Sequence, residues 1–321
     1  MATVNGIRIG PIRKAEVEEA ARIMRLAFGT FLGLPHPIEF MGDRDMVTPR
    51  WRSSNVKVIA ARDGDRLIGT NAVTRWGSFG FFGPLTVLPE YWDRGVAQKL
   101  LEATAAVFDK WGVRRRGLAT FPHSAKHIGL YQKFGYWPQY LTAVMMRTPA
   151  AEAAHQNGHQ DSPMLLSKLP KARREEVIRM CGRLTNRLLK GLDLGDEIRS
   201  VLKERIGEVV LIFTRGTLDG FAVCMHGPGS EGGEKLCFIK FAAARAGDGA
   251  GERFSRLLDA CDWFALSRGV PIEAGVNLAH EDAFRRMRSH GYRTAMQLVA
   301  LQHPHTDGFN RADVYVMDDW R

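Results

Sequence analysis

The first half of the chain changes repeatedly between the two-residue hydrophobic period of strands and the 3.6-residue period of helices. Residues 79–88 form an almost continuous apolar run, which is typical of a strand covered on both faces. Residues 96–111 carry apolar side chains three or four positions apart, which predicts an amphipathic helix. Asp63, Gly64 and Asp65 predict a tight hairpin turn. The predicted order is strand 7–12, helix 15–28, an irregular Gly- and Pro-rich segment at 29–49, strands 57–62, 67–76 and 79–88, helix 96–111, strand 117–121, helix 124–133 and strand 141–146, which is expected to close the sheet of this half.

The second half repeats this order of elements. Gly95 and Gly249 lie about 154 positions apart, and Gly135 and Gly291 lie about 156 positions apart, so two landmarks share nearly the same offset. We therefore predict an α/β (α+β, mixed-sheet) protein of two tandem domains, each a twisted mixed sheet flanked by helices. The predicted parts are a first domain at 1–148, a linker at 149–164 and a second domain at 165–321. The second domain is predicted to contain helices at 171–187 and 252–267, a further helix that ends at 289, and strands at 209–213, 218–225, 236–243 and 271–276.

Composition places the chain among globular proteins and narrows its partners. Its 321 residues, 45% hydrophobic and 25% charged, suffice for two domains of ordinary size. Because the sequence shows no apolar run of about 18 residues and no secretory pattern in residues 1–30, we expect neither a membrane span nor a membrane partner. The net charge of +10 is spread along the chain, so no nucleic-acid partner is expected. A homo-oligomer is compatible with these features.

The cysteines and histidines give no pattern that predicts a disulfide framework or a metal centre. The cysteines lack Cys-x-x-Cys spacing, so we expect reduced, mostly buried thiols in a cytoplasmic protein, although two of them fall on neighbouring predicted strands. Two histidine pairs have the four-residue spacing that some zinc sites use, but no further ligands cluster near them, so no metal is expected. These residues are Cys181, Cys224, Cys237 and Cys261, and the pairs His123 with His127 and His155 with His159.

The turn between the apolar run 79–88 and the next helix is suited to an anion. Gly95 and Ala97 are small and let a ligand approach the backbone closely. The first amides of the helix have no intrahelical partner, the helix dipole adds partial positive charge, and Arg94 adds a full charge. These features favour a phosphate or pyrophosphate site, although the turn by itself is also compatible with an ordinary strand–turn–helix connection.

A second motif follows at 124–136, where a short helix carries Tyr131 on its last turn and ends at Gly135. Together the two motifs resemble the acetyl-CoA motifs of the GNAT superfamily of N-acetyltransferases. The residues that match the family pattern are Val87 and Pro89 at the strand end, Gly95 and Ala97 in the pyrophosphate turn, and Tyr131, Gly135 and Tyr136 in the second motif. Trp92 stands where the family usually has Gln or Arg, and Ser124 stands where Asn is common.

The resemblance implies an acetyl-CoA-dependent N-acetyltransferase whose acceptor, an amine of a small molecule or peptide, attacks directly in a ternary complex without a metal. It implies that Tyr131 is the general acid, and it places a carbonyl-binding backbone amide near the end of the central strand. The implied cofactor-binding residues are Thr86, Val87, Leu88, Arg94, Gly95, Val96, Ala97, Gln98 and Ser124. The central strand carries no Asp, Glu or His, so the candidate base is His123, with His36 and Glu39 as alternatives.

Several alternatives stay open from the sequence. Trp92 and the missing carboxylate are also compatible with a CoA-binding sensor or scaffold without turnover. A tRNA-dependent aminoacyl transferase of the tandem-GNAT type is a third possibility, against which the retained pyrophosphate turn argues. Segment 29–49 is expected either to line the acceptor pocket or to cover the sheet, and its aromatic neighbours are Phe28, Phe31, Phe40 and Trp51.

The second half departs from the family pattern at two positions. Asp248 precedes the glycine turn, where its carboxylate opposes an anion, and Met287 occupies the position of Tyr131 and has no proton to donate. We therefore expect only the first domain to catalyse, with the second as a structural partner.

Overall fold

A computed structural model describes residues 6–149 and 162–321, which form one mixed sheet covered by helices. In the first half the hydrophobic pattern predicts the long helices and the strands correctly, misplaces most boundaries by only a few residues, and misses the short helix at 48–52. The α-helices of this half are α1 (Val17–Phe31), α2 (Thr48–Arg52), α3 (Val96–Lys110) and α4 (Ala125–Gln132). Its strands are β1 (Ile7–Pro11), β2 (Val56–Asp63), β3 (Arg66–Trp76), β4 (Phe79–Val87), β5 (Arg115–Thr120) and β6 (Trp137–Arg147).

The second half contains the predicted elements together with one helix and three strands that the pattern did not reveal. Its helices are α5 (Lys171–Leu188), α6 (Gly195–Glu204), α7 (Ala250–Ser267) and α8 (Glu281–Ser289). Its strands are β7 (Met164–Leu165), β8 (Gly207–Thr214), β9 (Thr217–Gly227), β10 (Gly233–Ala244), β11 (Ile272–Asn277), β12 (Arg293–His303) and β13 (Val316–Met317). Residues 150–161 of the predicted linker lie outside the described residues, as do His155 and His159, and Met164 already belongs to β7.

The two halves exchange their last long strands within the single sheet. In the described part of the chain the strand order is β1-β2-β3-β4-β5-β12-β6-β11-β10-β9-β8-β7, with β13 beside β10. Strand β12 of the second half pairs with β5 of the first, where Leu301 faces Leu118. Strand β6 of the first half pairs with β11 of the second, where Met145 faces Ala274. Each half therefore completes the sheet of the other.

This arrangement corrects the expectation that residues 141–146 close the sheet of the first half. The strand Trp137–Arg147 is present, but it lies between β12 and β11. The alternation of side chains fixes which faces of a strand are buried and says nothing about which neighbour the strand pairs with. In a duplicated chain the equivalent strands of both halves fit equivalent sheet edges, so the hydrophobic pattern of the sequence does not reveal the exchange.

The interior between the halves is shared. Aromatic rings from β3 and β4 pack against rings of the second half, with Trp76 edge-on to Phe241 at 5.4 Å and Phe79 edge-on to Phe309 at 5.2 Å between ring centroids. The ring of Trp320 lies 5.1 Å from Phe79. Because these side chains are almost completely buried, separating the halves would expose a large apolar surface.

A buried network of charges also joins the halves. Arg50 of the first half lies 2.7 Å from Glu231 of the second, and Lys240 lies 2.5 Å from Glu231 and 3.1 Å from Glu197. Burial alone would raise the pKa of the Glu231 carboxyl, but the charges of Arg50 and Lys240 hold it at about 2. Arg50 also donates to the carbonyl of Gly83 in the central strand, so the network reaches the strand that bounds the candidate site.

Strands β4 and β5 are parallel neighbours over a short distance only. Their pairing covers Phe79–Phe81 against residues 115–117, after which the strands diverge. The equivalent pair in the second half, β10 and β11, also pairs over three residues and then diverges. Both following helices begin at a glycine in the left-handed region, Gly95 with φ 76° and Gly249 with φ 74°. These matching details confirm the duplication that the spacing of glycines predicts.

The gap between the diverging strands is filled in the second half. Strand β13 pairs with β10 at Ala242 and Ala243, so the backbone of the chain itself occupies the gap. A Cβ atom added to Gly275 would lie 2.4 Å from the carbonyl oxygen of Asp318, which shows how closely the segment after β13 packs there. The corresponding gap of the first half is part of a cavity.

The cysteines are all free and buried, which confirms that part of the sequence interpretation. Cys224 on β9 and Cys237 on β10 lie on neighbouring strands and are not bonded to each other. Within residues 6–149 and 162–321, no group of three or more His, Cys, Asp or Glu side chains is arranged to hold a metal ion. None of the helices in these ranges is long and apolar enough to cross a bilayer.

Candidate active site

The N-terminus of α3 presents free backbone amides to the cavity. The first intrahelical hydrogen bond runs from the Lys99 amide to the Gly95 carbonyl at 3.2 Å, so the amides of Val96, Ala97 and Gln98 have no partner within the helix. Gly95 holds a positive φ that favours glycine, and a Cβ atom added to it would meet nothing within 4 Å. The loop therefore offers open space in front of the helix end, as an anion needs.

The end of β4 presents one backbone amide to the gap between β4 and β5. In an antiparallel pair successive residues point their amides to opposite sides. The Leu88 amide donates to the Ile68 carbonyl at 2.9 Å, so Leu88 and Thr86 face β3 and the amide of Val87 faces the gap. Of residues 86–88, where the resemblance implies a carbonyl-binding amide, only Val87 therefore presents its amide to the gap.

Trp92 fastens the same strand end. Its indole Nε1 donates to the Val87 carbonyl at 2.8 Å, which uses the acceptor that would otherwise face the gap. This bond gives a structural role to the residue that replaces the usual Gln or Arg. The sequence showed that Trp92 departs from the family pattern, but it could not show that the indole bonds to the Val87 carbonyl.

Tyr131 lies on the last turn of α4 and contributes to the cavity wall. Its ring packs edge-on against Phe82 at 5.8 Å between centroids, and the side chain is almost fully buried. Burial raises the pKa of the Tyr131 hydroxyl well above its ordinary value, so this group stays protonated across the range in which enzymes are assayed. Tyr131 can therefore donate a hydrogen bond into the cavity.

Ser124 and the two nearby histidines lie at the start of α4. The Ser124 hydroxyl accepts from the His127 amide at 3.4 Å and lies 2.9 Å from His127 Nδ1, so it caps the helix and does not line the cavity. Burial, with the charges of Lys126 and His123, lowers the pKa of His127 and keeps its ring neutral near pH 7. His123 and His127 both line the cavity, which sequence reasoning anticipated only for His123.

These groups meet in one cavity of about 1220 Å³. The diverging ends of β4 and β5 and the starts of α3 and α4 line this cavity, so it lies in the gap between the two strands. Of the predicted site residues, the cavity is lined by Thr86, Val87, Gly95, Val96, Ala97, Gln98, His123 and Tyr131. Leu88, Arg94 and Ser124 do not line it. The Arg94 guanidinium lies over the Tyr91 ring at 5.1 Å, beside the helix start.

The end of α1 and the loop that follows it form another wall, which is one of the two alternatives that the sequence left open. Phe28, Phe31 and Phe40 line the cavity, whereas Trp51 does not. His36 and Glu39, the alternative candidates for the base, are exposed and also do not line it. The expectation that they face the acceptor had rested on sequence proximity alone.

The second half contributes to this cavity, which the sequence could not reveal. Glu273 of β11 lies between Arg44, at 3.1 Å, and Arg321, at 2.8 Å, and all three line the cavity. Burial alone would raise the pKa of the Glu273 carboxyl, but the two guanidinium groups hold it below its ordinary value. Strand β12 adds Met296, Gln297 and Leu298 to the same wall.

The helix start in the second half is occupied by side chains. Arg253 donates to the carbonyls of Arg245 and Gly247 in the glycine loop, at 2.9 and 3.0 Å. A Cβ atom added to Gly251 would lie 2.4 Å from the Arg286 guanidinium. Together with β13 in the gap between the strands, these contacts leave little room for a nucleotide at this end of α7.

Comparisons with known proteins agree with this geometry. Residues 22–136 match the model of the "Acetyltransferase (GNAT) family". No curated protein matches the sequence. Among solved structures, a candidate acetyltransferase from Pyrococcus horikoshii is 14% identical with a TM-score of 0.68, over 98% of this chain and 95% of that one.

Two further solved structures share the whole architecture. A GCN5-related N-acetyltransferase from Sphaerobacter thermophilus is 13% identical with a TM-score of 0.59, over 94% of this chain and 96% of that one. A tandem GNAT protein from the clavulanic acid biosynthesis pathway is 10% identical with a TM-score of 0.58, over 92% and 98%. At such identities these likenesses show the fold.

The diverging strands and the free helix start define a protein of the acyltransferase class. The match makes the assignment specific for part of the chain: residues 22–136 form a domain of the GNAT acetyltransferase family, and the whole chain has the fold of a tandem GNAT protein.

Proposed function

We propose that the protein transfers the acetyl group of acetyl-CoA to a primary amine of a small molecule or peptide, by direct attack in a ternary complex. The observation that carries the proposal is that one cavity joins the free amides of α3, the Val87 amide and the Tyr131 hydroxyl. A thioester that is anchored at the helix start by its pyrophosphate can place its carbonyl between the diverging strands, near the last two groups.

Each step of the transfer has a group to support it. The Val87 amide is suited to donate to the carbonyl oxygen as negative charge develops there. Tyr131, kept protonated by burial, is suited to donate to the departing thiolate. His123 lines the cavity and is exposed to solvent, so it can accept the proton of the attacking amine and release it to water. The bond between the thiolate and the acetyl carbon breaks as the bond from the amine nitrogen forms.

The catalytic part of the proposal is confined to the first half. The cofactor would contact Thr86, Val87 and the amides of residues 95–98, and Arg94 would add charge at the helix start. Lys126 lies 2.5 Å from Asp93 across this entrance, so an arriving phosphate can compete for its ammonium group. Both ends of this bridge are exposed, so its rearrangement costs little.

The test is binding of acetyl-CoA to a Gly95→Glu variant. The added carboxylate would stand in front of the helix amides, and we expect affinity to fall by about 10- to 30-fold, since charge at a helix end is worth up to about 2 kcal/mol. Gly112→Glu is the matched control. Gly112 also has a positive φ and open space around it, but it lies at the other end of α3, outside the cavity.

Calorimetry should show weakened binding in Gly95→Glu and wild-type binding in Gly112→Glu. Both variants carry the same cost of a side chain at positive φ, so the comparison removes the effect on folding. Release of thiol from acetyl-CoA upon addition of amines should follow the same order. Equal affinity in both variants would refute the placement of the cofactor, and failure of every amine to release thiol would favour a CoA-binding sensor.

A further inference from the structure

The part of the cavity beside α1 is lined by aromatic rings that contact one another. Phe28 stacks on Phe40 at 5.5 Å, Phe31 lies 5.4 Å from Phe121, and His123 stacks on Phe31 at 5.8 Å between centroids. We call these five residues the aromatic wall. All of them line the cavity, and His123 belongs to the proposed catalytic groups, so the wall faces the acceptor position.

The aromatic wall is held in place by the first half itself. Arg25 of α1 donates to the backbone carbonyls of Phe40, Gly42 and Arg44, at 2.6 to 2.7 Å, and so fixes the loop to the helix. A Cβ atom added to Gly29 would lie 2.2 Å from the carbonyl oxygen of Pro37, so the loop packs directly on α1. A ligand therefore meets rings whose positions are already fixed, and it need not order them on binding.

The carboxylates around the cavity are already paired, which is unfavourable for a multiply positive ligand. Among its described lining residues the carboxylates are Asp93 and Glu273, and both are already paired. Asp93 is bridged to Lys126 at the cofactor end, and Glu273 lies between two guanidinium groups. The basic lining residues are Arg44, Lys126, Lys133 and Arg321. Arg44 and Arg321 are themselves paired with Glu273 and Asp319, so a second ammonium group would find a cluster of paired charges and no free carboxylate.

From these observations we propose, on the basis of the function proposed above, that the acceptor is a primary amine on an aromatic or bulky apolar body with no second positive charge. The rings of the wall can stack on an aromatic body, and each such pair adds specificity beyond the burial of apolar area. Polyamines and other polycationic acceptors lack this advantage and would bring a second ammonium group to a cavity whose carboxylates are already paired.

Phe31 is the specificity-determining residue in this proposal. It contacts Phe121, His123 and His127 and is only half-buried, so substitution need not disturb the core. Phe31→Leu should keep most apolar contact and lose the stacking. Phe31→Glu should add the free carboxylate that the wall lacks, and so shift preference toward diamines. A shift of preference is a result that a merely loosened structure would not give.

The experiment compares 2-phenylethylamine with 1,5-diaminopentane and spermidine as acceptors, with thiol release as the readout. For the wild type we expect kcat/KM for 2-phenylethylamine to exceed that for either polyamine by at least about 10-fold, since burial of an aromatic side chain is worth roughly 1.5–3 kcal/mol. Phe31→Glu should reduce this ratio by about 10-fold or more. Trp137→Ala is the control, since Trp137 is 52% exposed and lies outside the cavity, and it should leave the ratio unchanged.

The outcomes separate this inference from the proposed function. Equal or greater activity with the polyamines would overturn the acceptor class and leave N-acetyl transfer standing. If no amine releases thiol, the proposed function fails, and calorimetric titration of 2-phenylethylamine into the complex with acetyl-CoA decides the rest. Binding that is weakened by Phe31→Glu and not by Trp137→Ala would support the aromatic site, whereas absence of binding would refute it.

Discussion

Replacing Tyr131 by Phe removes one oxygen atom and tests the proposed donor to the thiolate. The phenylalanine ring can keep the edge-on contact with Phe82, so the packing around α4 should be preserved. Burial raises the pKa of the tyrosine far above that of a thiol, which is about 8.5. Tyr131 is therefore better suited to stabilise the departing thiolate by a hydrogen bond than to transfer its proton completely.

The expected loss follows from that distinction. A hydrogen bond to a charged group is worth about 1.5–3 kcal/mol, and each 1.36 kcal/mol of barrier is tenfold in rate. We expect kcat of Tyr131→Phe to fall by about 10- to 160-fold, with the affinity for acetyl-CoA unchanged. Because the raised pKa keeps the hydroxyl protonated, ionisation of Tyr131 should cause no loss of wild-type activity between pH 7 and about 10.

The assay is thiol release with the best amine of the acceptor panel, together with calorimetry of acetyl-CoA binding. Tyr136→Phe is a close control, because Tyr136 is also buried, also packs edge-on against Phe82, at 5.4 Å, and lies outside the cavity. Equal turnover in Tyr131→Phe and wild type would refute the catalytic role. The same loss in both variants would show that the effect comes from packing.

Three further predictions concern the second half. Titration with acetyl-CoA should give about one tight site per chain, and two sites of similar affinity would contradict the view that β13 and Arg253 block the second gap. Glu231→Gln should destabilise the fold by about 3–5 kcal/mol at pH 7, because Arg50 and Lys240 lose their buried partner. The wild-type Glu231 carboxyl has a pKa of about 2 in the folded state and an ordinary value of 4.5, so the stability it contributes is present above pH 4.5 and is lost as the pH falls toward 2. Denaturant titrations should show that the free energy of unfolding decreases less over this pH range in the variant than in the wild type. Residues 1–148 expressed alone should aggregate, because Trp76 and Phe79 lose their aromatic partners in the second half, and a soluble fragment that binds acetyl-CoA would contradict this.

The elements around the cofactor site could be predicted because local sequence determines them. The periodicity at 96–111 predicts α3 nearly residue by residue, and the small Gly95 marks the turn that needs a positive φ. The duplication was equally visible, since Gly95 and Gly249 both begin helices in the left-handed region. Family resemblance added Tyr131, and the structure places it in the cavity wall.

Contacts between distant residues could not be predicted in the same way. Arg44, Glu273 and Arg321 lie far apart in the sequence, and only the folded chain brings both guanidinium groups to the Glu273 carboxylate. The direction of the Val87 amide depends on the register of β4 against β3, which no local pattern reveals. Strand β12 begins with exposed positions, and its apolar stretch gives no indication that its neighbour is β5.

The second half has no open gap between its own diverging strands, yet it forms part of the candidate site of the first half. Segment 316–321 first fills the gap of the second half through β13 and then brings Trp320 and Arg321 to the cavity of the first. The contacts that close one gap therefore also build the wall of the other. Strand β12 acts in the same sense, since it completes the sheet beside β5 and places Met296 and Leu298 in the cavity. A duplicated chain for which we propose a single site can thus keep both halves, because the second half supplies structure that the first half lacks.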